Sequence, residues 1–403
     1  METEGEDGYI LEVDLVYPEK LHEMHSNLPL APENLEIEFE DLSPYSQSVF
    51  LNINGCDKYK DVKLVGNFQT KRNYVLHFKN LKLYLQLGLK LTKVHKVLSF
   101  TQTKFITKFI TRCTRFRQKS KTKFEQDQFK KVANCVYGKT IQNNRKYVEV
   151  ELHSKKHTLM RALSDYSFKH FTIINENLVQ TVHFLKKIMH CRPIYVGFTI
   201  LELSKHYMFD FYYNKLLKGL KSKIEMGMSD TDSFLFKVNN KDHFHQHIRP
   251  HMDYSNYPQD HPNHDISHKS ELGFFKDELA GKFICDEFIG LKSKCYAMNL
   301  KSALDNSIVE KKVCKGLGKV AIRNRLKFDH YKRSLFMGET KRFDFYNIRS
   351  KQHDVSSVRI NKRAITHFDA KRWIFNCGIH SEPYGSKLIK TKMPFRCPKC
   401  KYQ

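Results

Sequence analysis

An α+β fold is what this sequence predicts, and three observations predict it. Tyr9-Ile10-Leu11-Glu12-Val13-Asp14-Leu15 reads as a strand, apolar enough to be buried on both faces. Two segments carry helical spacing, Thr122 to Val136 and Pro193 to Leu217, the second as a buried helix with Ile200, Leu203, Tyr207 and Phe211 on its stripe. A hairpin is expected from Ile224-Glu225-Met226 and Phe234-Leu235-Phe236, with Ser229-Asp230-Thr231-Asp232 at its bend. A hydrophobic fraction of 40% over 403 residues supplies enough apolar surface for a sizeable core and two or three domains.

The remaining elements follow in order. Met1 to Gly8 is acidic and is no secretory signal. Pro18 stands where a helix starts, with Glu19 through His25 as its first turns. From Glu33 to His95 the pattern is mixed, with turn signals at Asn54-Gly55 and Gly66-Asn67. Lys104 to Lys123 is strongly basic, with Phe105, Phe109 and Phe116 interleaved, and leads into the Thr122 helix, which Gly138 closes as a C-terminal cap. Lys241 to Ser270, rich in His, Pro, Asn and Asp, reads as a surface connection. Strand-like segments resume from Gly273 to Met298, and Leu300 to Gln403 is basic and mixed. The longest apolar stretch, Ile194 to Leu203, is too short and interrupted to span a bilayer, so no membrane partner is expected.

Charge narrows the partners. Lysine and arginine number 69 against 43 acidic residues, a formal net charge of +26, which attracts polyanions and releases their counterions. Excess lysine also serves solubility alone, so charge does not decide the matter. Ten cysteines at irregular spacing, several inside apolar runs, point to a reduced intracellular protein rather than a disulfide framework.

Asp230 and Asp232 are the most informative residues. Two carboxylates one residue apart, at a bend between apolar strands, repel each other unless cations neutralise them. Their hard oxygens favour Mg²⁺, and a pair of such ions suits in-line phosphoryl transfer. An isolated Asp-Thr-Asp-Ser is more often a solvated turn, and the flanking strands and basic context shift that balance. On the Thr122 helix, Lys130, Asn134 and Tyr137 share one face, while Phe129, Val132 and Val136 anchor the other. An ammonium, an amide and a ring so aligned suit a triphosphate and a base, with Gly138 admitting a close approach. A lone helix of this kind is more often an ordinary amphipathic one.

These segments resemble family B DNA polymerases of the protein-primed kind (type B, organellar and viral). Met228-Ser229-Asp230-Thr231-Asp232-Ser233 is similar to their Tyr-x-Asp-Thr-Asp-Ser motif, with Met228 replacing tyrosine. Lys130-Lys131-Val132-Ala133-Asn134-Cys135-Val136-Tyr137-Gly138 resembles their Lys-x-x-x-Asn-Ser-x-Tyr-Gly fingers motif, changed only at Cys135. Their Asp-x-x-Ser-Leu-Tyr-Pro resembles Glu12-Val13-Asp14-Leu15-Val16-Tyr17-Pro18. Without a gap the metal position is Glu12; with two residues deleted it is Asp14, preferred because aspartate is the family's residue. Tyr17 matches the aromatic that lies under the sugar, with a plain core role as the alternative. Lys294-Cys295-Tyr296 resembles the Lys-x-Tyr motif that steadies the primer strand, and Lys311, Lys312, Lys315 and Lys319 suit a thumb on duplex backbone. The runs Val13–Pro18, Leu21-His22, Pro29–Glu33, Gly197–Lys205 and Gly273–Glu278 look like Maverick (Polinton) transposon polymerases.

The resemblance implies a right hand with an antiparallel palm sheet, short helical fingers and a small thumb. Palm and an insertion take residues 1–115, fingers 116–145, a second insertion 146–190, the remaining palm 191–290, and thumb with a cysteine-containing tail 291–403. About 116 residues separate Asp14 from Lys130 and about 93 separate Tyr137 from Asp230, room for insertions that wrap the template and grip a terminal protein. About 13 residues precede Asp14, so an exonuclease domain is expected to be absent and the chain N-terminally truncated. The implied activity is DNA-directed DNA polymerisation from primer-template DNA and deoxynucleoside triphosphates. Two Mg²⁺ ions would be held by Asp14, Asp230 and Asp232, with Lys130 on the triphosphate. A nuclear location suits a transposon polymerase. The rival is a decayed remnant that binds nucleic acid without catalysis; a nuclease is a third reading, opposed by the Lys130–Asn134 helix. Histidines 243, 245, 247, 251, 261, 264 and 268 read as a solvated loop rather than a zinc site. Cys377-x2-His380 and Cys397-x2-Cys400 have zinc-ribbon spacing, but the family carries no such tail, and zinc there is the lesser expectation.

Overall fold

A computed structural model describes residues 6–220, 224–351, 354–390 and 397–400. The chain divides into two compact units: Met1–Phe105, Glu202–Asn347 and Val358–Gln403 form the first, Ile106–Leu201 and Ile348–Ser357 the second.

The first unit starts with β1 (Asp7–Val16), followed by α1 (His22–His25), β2 (Glu33–Glu38), α2 (Pro44–Asn54), β3 (Lys60–Val65), β4 (Lys71–His77), α3 (Phe78–Gln86) and β5 (Lys90–Thr101). Strand β1 lies between β4 and β5, antiparallel to both. Leu11, Val13 and Leu15 are buried and the alternating Glu12 and Asp14 are partly exposed, so the strand covers one face rather than both, as its apolar content suggested. Pro18 is the cap before a 3-10 turn, Glu19–Leu21, and α1 comes only after it. Helix α2 is punctuated as its sequence demands: Ser43 accepts the Ser46 N–H, Pro44 opens the first turn, and Gly55 closes it at φ 69°.

The second unit contains α4 (Thr107–Lys119), α5 (Lys123–Thr140), β6 (Val148–His153), α6 (Lys156–Leu163), β7 (Phe168–Asn175) and β8 (Leu178–Phe184), with a sheet ordered β6-β8-β7. Thr122 and Glu125 form a capping box at the start of α5. Gly138 does not end this helix. It lies inside α5, which runs to Thr140 and is capped at Ile141; with its neighbours helical, Gly138 takes no left-handed turn.

Helix α7 (Ile194–Asp210) passes into a π turn over Phe211–Leu216 and then α8 (Leu217–Leu220). Ile200, Leu203 and Tyr207 remain at the surface and Phe211 is buried, so the expected buried stripe is only partly realised. Within the first unit, buried Glu202 ties the middle of this helix to β4 and α3: it accepts from the His77 N–H and the Asn80 amide, and also from the Lys205 ammonium.

The chain continues through β9 (Ile224–Asp230), β10 (Ser233–Val238), α9 (Lys241–Ile248), β11 (Met252–Asp253), β12 (Phe275–Lys276), β13 (Phe283–Lys292), β14 (Cys295–Ser302), β15 (Ile308–Cys314), α10 (Lys319–Arg325), α11 (Phe328–Met337), β16 (Lys341–Lys351), β17 (Asp354–Ile365), β18 (Trp373–Ile374), β19 (Ser381–Glu382) and α12 (Lys387–Lys390). The β9–β10 hairpin and strands β13 and β14 fall where strands were expected, and β15, in the stretch read only as basic and mixed, joins β14 as the third strand of an antiparallel sheet. Residues 241–270 are not a solvated loop: they begin with α9, and Ile248, Met252, Tyr254 and Tyr257 enter the core, the polar composition having masked these anchors. That core joins Leu11, Val13 and Leu15 of β1 to Phe209, Tyr213 and Leu216, with Ile224, Met226, Phe234 and Phe236 of the hairpin packed against it. A second core unites β13–β15 with α10, α11 and β17. Among the described residues no helix is long and apolar enough to cross a membrane.

Candidate active site

Asp14 lies in β1 between register shifts against both neighbouring strands, an irregularity that re-aims side chains. Its Oδ1 accepts the Asn73 N–H at 2.8 Å and bonds His95 Nε2 at 2.8 Å. These two bonds, the Asn73 amide first, hold the Asp14 carboxyl below the usual range. Glu12, two residues back on the same face, accepts the Asn73 side-chain amide at 2.7 Å and pairs with Lys96 at 3.1 Å, and its pKa is lowered by the same two partners in that order. Both acids therefore sit on one strand face against basic β5.

Asp230 and Asp232 occupy the β9–β10 turn. Ser233 pairs with Asp230, and the Asp232 N–H returns to the Asp230 carbonyl at 2.6 Å. Thr231 between them has φ 56°, a left-handed conformation that a β-branched residue rarely adopts. Lys294 reaches this turn from the β13–β14 connection: its Nζ lies 3.0 and 2.9 Å from the two Asp230 carboxylate oxygens. That contact holds the ammonium above its ordinary range. Lys294 also has a left-handed backbone, at φ 57°, and its carbonyl accepts the Lys315 N–H at 3.0 Å. Asn73, which serves both acids of β1, has φ 50°. Of seven non-glycine residues with positive φ among those described, three thus flank these carboxylates, and strained backbone of this sort clusters at functional sites.

Two motifs distant in sequence, the acidic pair and the Lys294-x-Tyr296 run, are therefore joined directly. Tyr296 is half-buried on β14, its ring 6.1 Å from that of Phe288, and Phe288 in turn packs beside Gly227 of β9. Lys311 and Lys312 on β15 pair with Glu278 and Glu310, each at 2.9 Å, and Lys315 is exposed. Among the described residues, Asp14, Asp230 and Asp232 do not form a group of ligands within 4.8 Å of one another, whereas Cys377, His380, Cys397 and Cys400 do. Strand β1 and the hairpin belong to separate hydrogen-bonded sheets that share one core.

Tyr17 is a core residue, 5% exposed. Its hydroxyl lies 2.7 Å from His25 Nδ1 and accepts the Leu30 N–H at 3.3 Å, and burial raises its pKa. In the second unit, Lys130, Asn134 and Gly138 are exposed on α5 and Tyr137 is half-buried. Phe129 stacks on Phe116 at 5.2 Å, as an anchor should, but Val132 is exposed, 45%, and does not hold the helix down. His95, Asn73 and Lys96 were missed from sequence. The basic alternation of Lys90, Lys93, His95 and Lys96 was the available signal, and only the pairing of β5 with β1 gives it meaning.

With this geometry in place, comparison with solved structures gives a neighbour. The fold is similar to that of Phi29 DNA polymerase. That structure, a ternary complex with primer-template DNA and incoming nucleotide substrates, matches with a TM-score of 0.51 at 14% sequence identity. The match covers 91% of this chain, and the chain spans 52% of the Phi29 polymerase chain. No protein-family model matches the sequence, and no curated protein matches it significantly.

Proposed function

We propose that this chain is the polymerising part of a protein-primed family B DNA polymerase related to Maverick (Polinton) enzymes, extending a primer 3′ end on a DNA template. The observation that carries the reading is the contact of Lys294 with Asp230, which unites the primer-steadying motif with the acidic turn. The Phi29-like fold supports it at the level of architecture.

Asp14, Asp230 and Asp232 are the residues that would hold Mg²⁺. Their donor set fits: hard carboxylate oxygens, partly exposed, with Asp14 and Asp230 already drawing a basic side chain to themselves. When bound, a pair of such ions supplies charge stabilisation to the attacking and leaving oxygens. The chain's own residues do the rest. Lys294, released from Asp230, binds a primer phosphate, and Tyr296 on the next strand supports the sugar. Lys311, Lys312 and Lys315 receive the duplex backbone. Lys130 and Asn134, exposed on α5, take the triphosphate, with Tyr137 and Gly138 beside the base, while Tyr17 braces the floor beneath β1. A terminal protein as primer and a nuclear site of action belong to the same proposal.

One observation favours a second reading, a remnant that binds nucleic acid without catalysis: the three aspartates are not gathered within 4.8 Å. Primer extension with Mg²⁺ on a singly primed template separates the two. The proposal expects incorporation by the wild-type chain and none by Asp232→Ala. Incorporation that survives the substitution marks a contaminant, and a wild-type chain that binds DNA but never extends it establishes the remnant.

A further inference from the structure

We propose that Cys377, His380, Cys397 and Cys400 form a structural zinc site that fastens the C-terminal segment to the elements following β1. The four ligand atoms lie within 4.8 Å of one another. His380 Nδ1 is 3.5 Å from Cys377 Sγ, 3.4 Å from Cys397 Sγ and 3.5 Å from Cys400 Sγ. Hydrogen bonding does not account for this. A ring nitrogen offers one proton or one lone pair, and three sulfurs at equal range exceed either. A shared cation does account for it. With Zn–S of about 2.3 Å and Zn–N of about 2.0–2.1 Å, tetrahedral coordination sets nitrogen and sulfur about 3.6 Å apart.

The local backbone is built for this. Strands β18 and β19 form a short hairpin, Trp373 pairing with Glu382, whose connection presents Cys377 and His380. Gly378 between them has φ 71°, and a Cβ there would lie 2.8 Å from the Tyr45 hydroxyl. Cys377 Sγ accepts the His380 N–H at 3.3 Å, a bond that favours a thiolate. The second pair is a tight turn closed by the Cys400 N–H on the Cys397 carbonyl at 3.3 Å. Between its cysteines, Lys399 pairs at 2.5 Å with Glu382, which also accepts the Ser26 and Ser386 hydroxyls. Glu382 is 1% exposed, so the lysine reaches into the hairpin's buried side.

Four protein ligands leave no open position, the mark of a structural rather than a catalytic ion, and three thiolates with one imidazole select zinc over Mg²⁺. What the ion would secure is specific. Arg372 at the hairpin base donates to the Ser26 carbonyl at 3.0 Å, the Lys387 N–H reaches His22 Nδ1 at 3.0 Å, and the Phe68 N–H bonds the Tyr384 carbonyl at 2.8 Å. Phe68 packs on Tyr17, ring centroids 4.8 Å apart. The knuckle thus braces the residues that follow β1.

The test is metal content and cobalt spectroscopy of the full chain, neither of which requires nucleotide or DNA. Dialysed protein from zinc-sufficient cells should carry about one zinc per chain. Protein grown with cobalt should show intense visible d–d bands and a near-ultraviolet thiolate band. Cys400→Ser should lose most of both, whereas Cys56→Ser, exposed and outside the ligand group, should keep them. Wild-type protein without stoichiometric zinc, a cobalt spectrum of weak octahedral type, or a Cys397–Cys400 disulfide in the freshly purified chain overturns the proposal, whether or not Cys400→Ser folds.

Discussion

Replacing Lys294 by alanine separates a structural ion pair from a DNA-binding one, because the two roles differ in magnitude. The ammonium sits 2.9 Å from Asp230, and the two side chains are 44% and 34% exposed, so solvation and side-chain entropy offset most of their attraction. The left-handed backbone of Lys294 is equally strained with alanine, so it adds nothing to the difference. Lys294→Ala should therefore leave the urea unfolding midpoint of the chain nearly unchanged. A lost charged contact to a primer phosphate has a larger effect, about 10- to 150-fold in affinity. The slope of log affinity against log salt should also fall by about 1. Anisotropy titrations of labelled primer-template across a sodium chloride series, beside urea melts, measure both. Unchanged affinity and slope would mean that Lys294 serves only Asp230, and a variant unfolded under native conditions would make the pair structural; either refutes the reasoning.

Two further outcomes follow from buried and half-buried titratable groups. Burial lowers the pKa of His25 and of His77 to about 4, and His25 Nε2 has no hydrogen-bond partner among the described residues. Their folded-state pKa lies below the unfolded value of 6.5, so the stability each contributes is complete above pH 6.5 and is lost as pH falls towards 4. For His25 the difference of 2.5 pH units corresponds to about 3 kcal/mol, and His25→Gln should flatten the denaturation midpoint between pH 7 and 4.5 relative to wild type. For β1, Asp14→Asn should reduce Mg²⁺-dependent extension at least about a hundredfold while Glu12→Gln reduces it much less; the reverse order in steady-state kinetics would move the metal position to Glu12.

What the sequence made legible was local. The β1 strand, the α5 helix from Thr122 and the hairpin around Asp230 announce themselves locally, by an apolar run, by helical spacing or by paired apolar runs, although the one-sided burial of β1 and the capping box at Thr122 did not. What stayed hidden depends on distant partners. His95 meets Asp14 only through the pairing of β5 with β1, 81 residues away in sequence. Tyr254 and Tyr257 enter the core from a stretch whose average is polar, because two aromatic anchors suffice where the backbone is already turned inward. Gly138 misled because a helix interior tolerates glycine at a cost of about 1 kcal/mol, and residue type alone does not fix φ. The cysteine–histidine cluster was visible as spacing, yet spacing does not say that two separate pairs converge on one nitrogen.

The two turns that meet at Asp230 are hard to explain as solvated loops. A solvated connection of two residues has glycine and asparagine available, which adopt positive φ without penalty, and this chain places threonine in one and lysine in the other. Each such residue costs on the order of 1–3 kcal/mol, and surrounding structure must hold it. That structure is present: the β9–β10 ladder fixes one turn, the β13-β14-β15 sheet and the Lys315 N–H fix the other, and Phe288 packs beside Gly227 where the two approach. The strain therefore has a consequence, which is to point an ammonium at a carboxylate on a surface where water would otherwise separate them. If the site takes a primer phosphate as proposed, this arrangement is poised rather than finished. A phosphate arriving at Lys294 offers the ammonium a second acceptor of the same sign as Asp230, and the carboxylate so released gains oxygens free for a divalent cation. Primer binding and metal binding would then assist each other, so Mg²⁺ should tighten primer-template binding in the wild-type chain more than in Lys294→Ala.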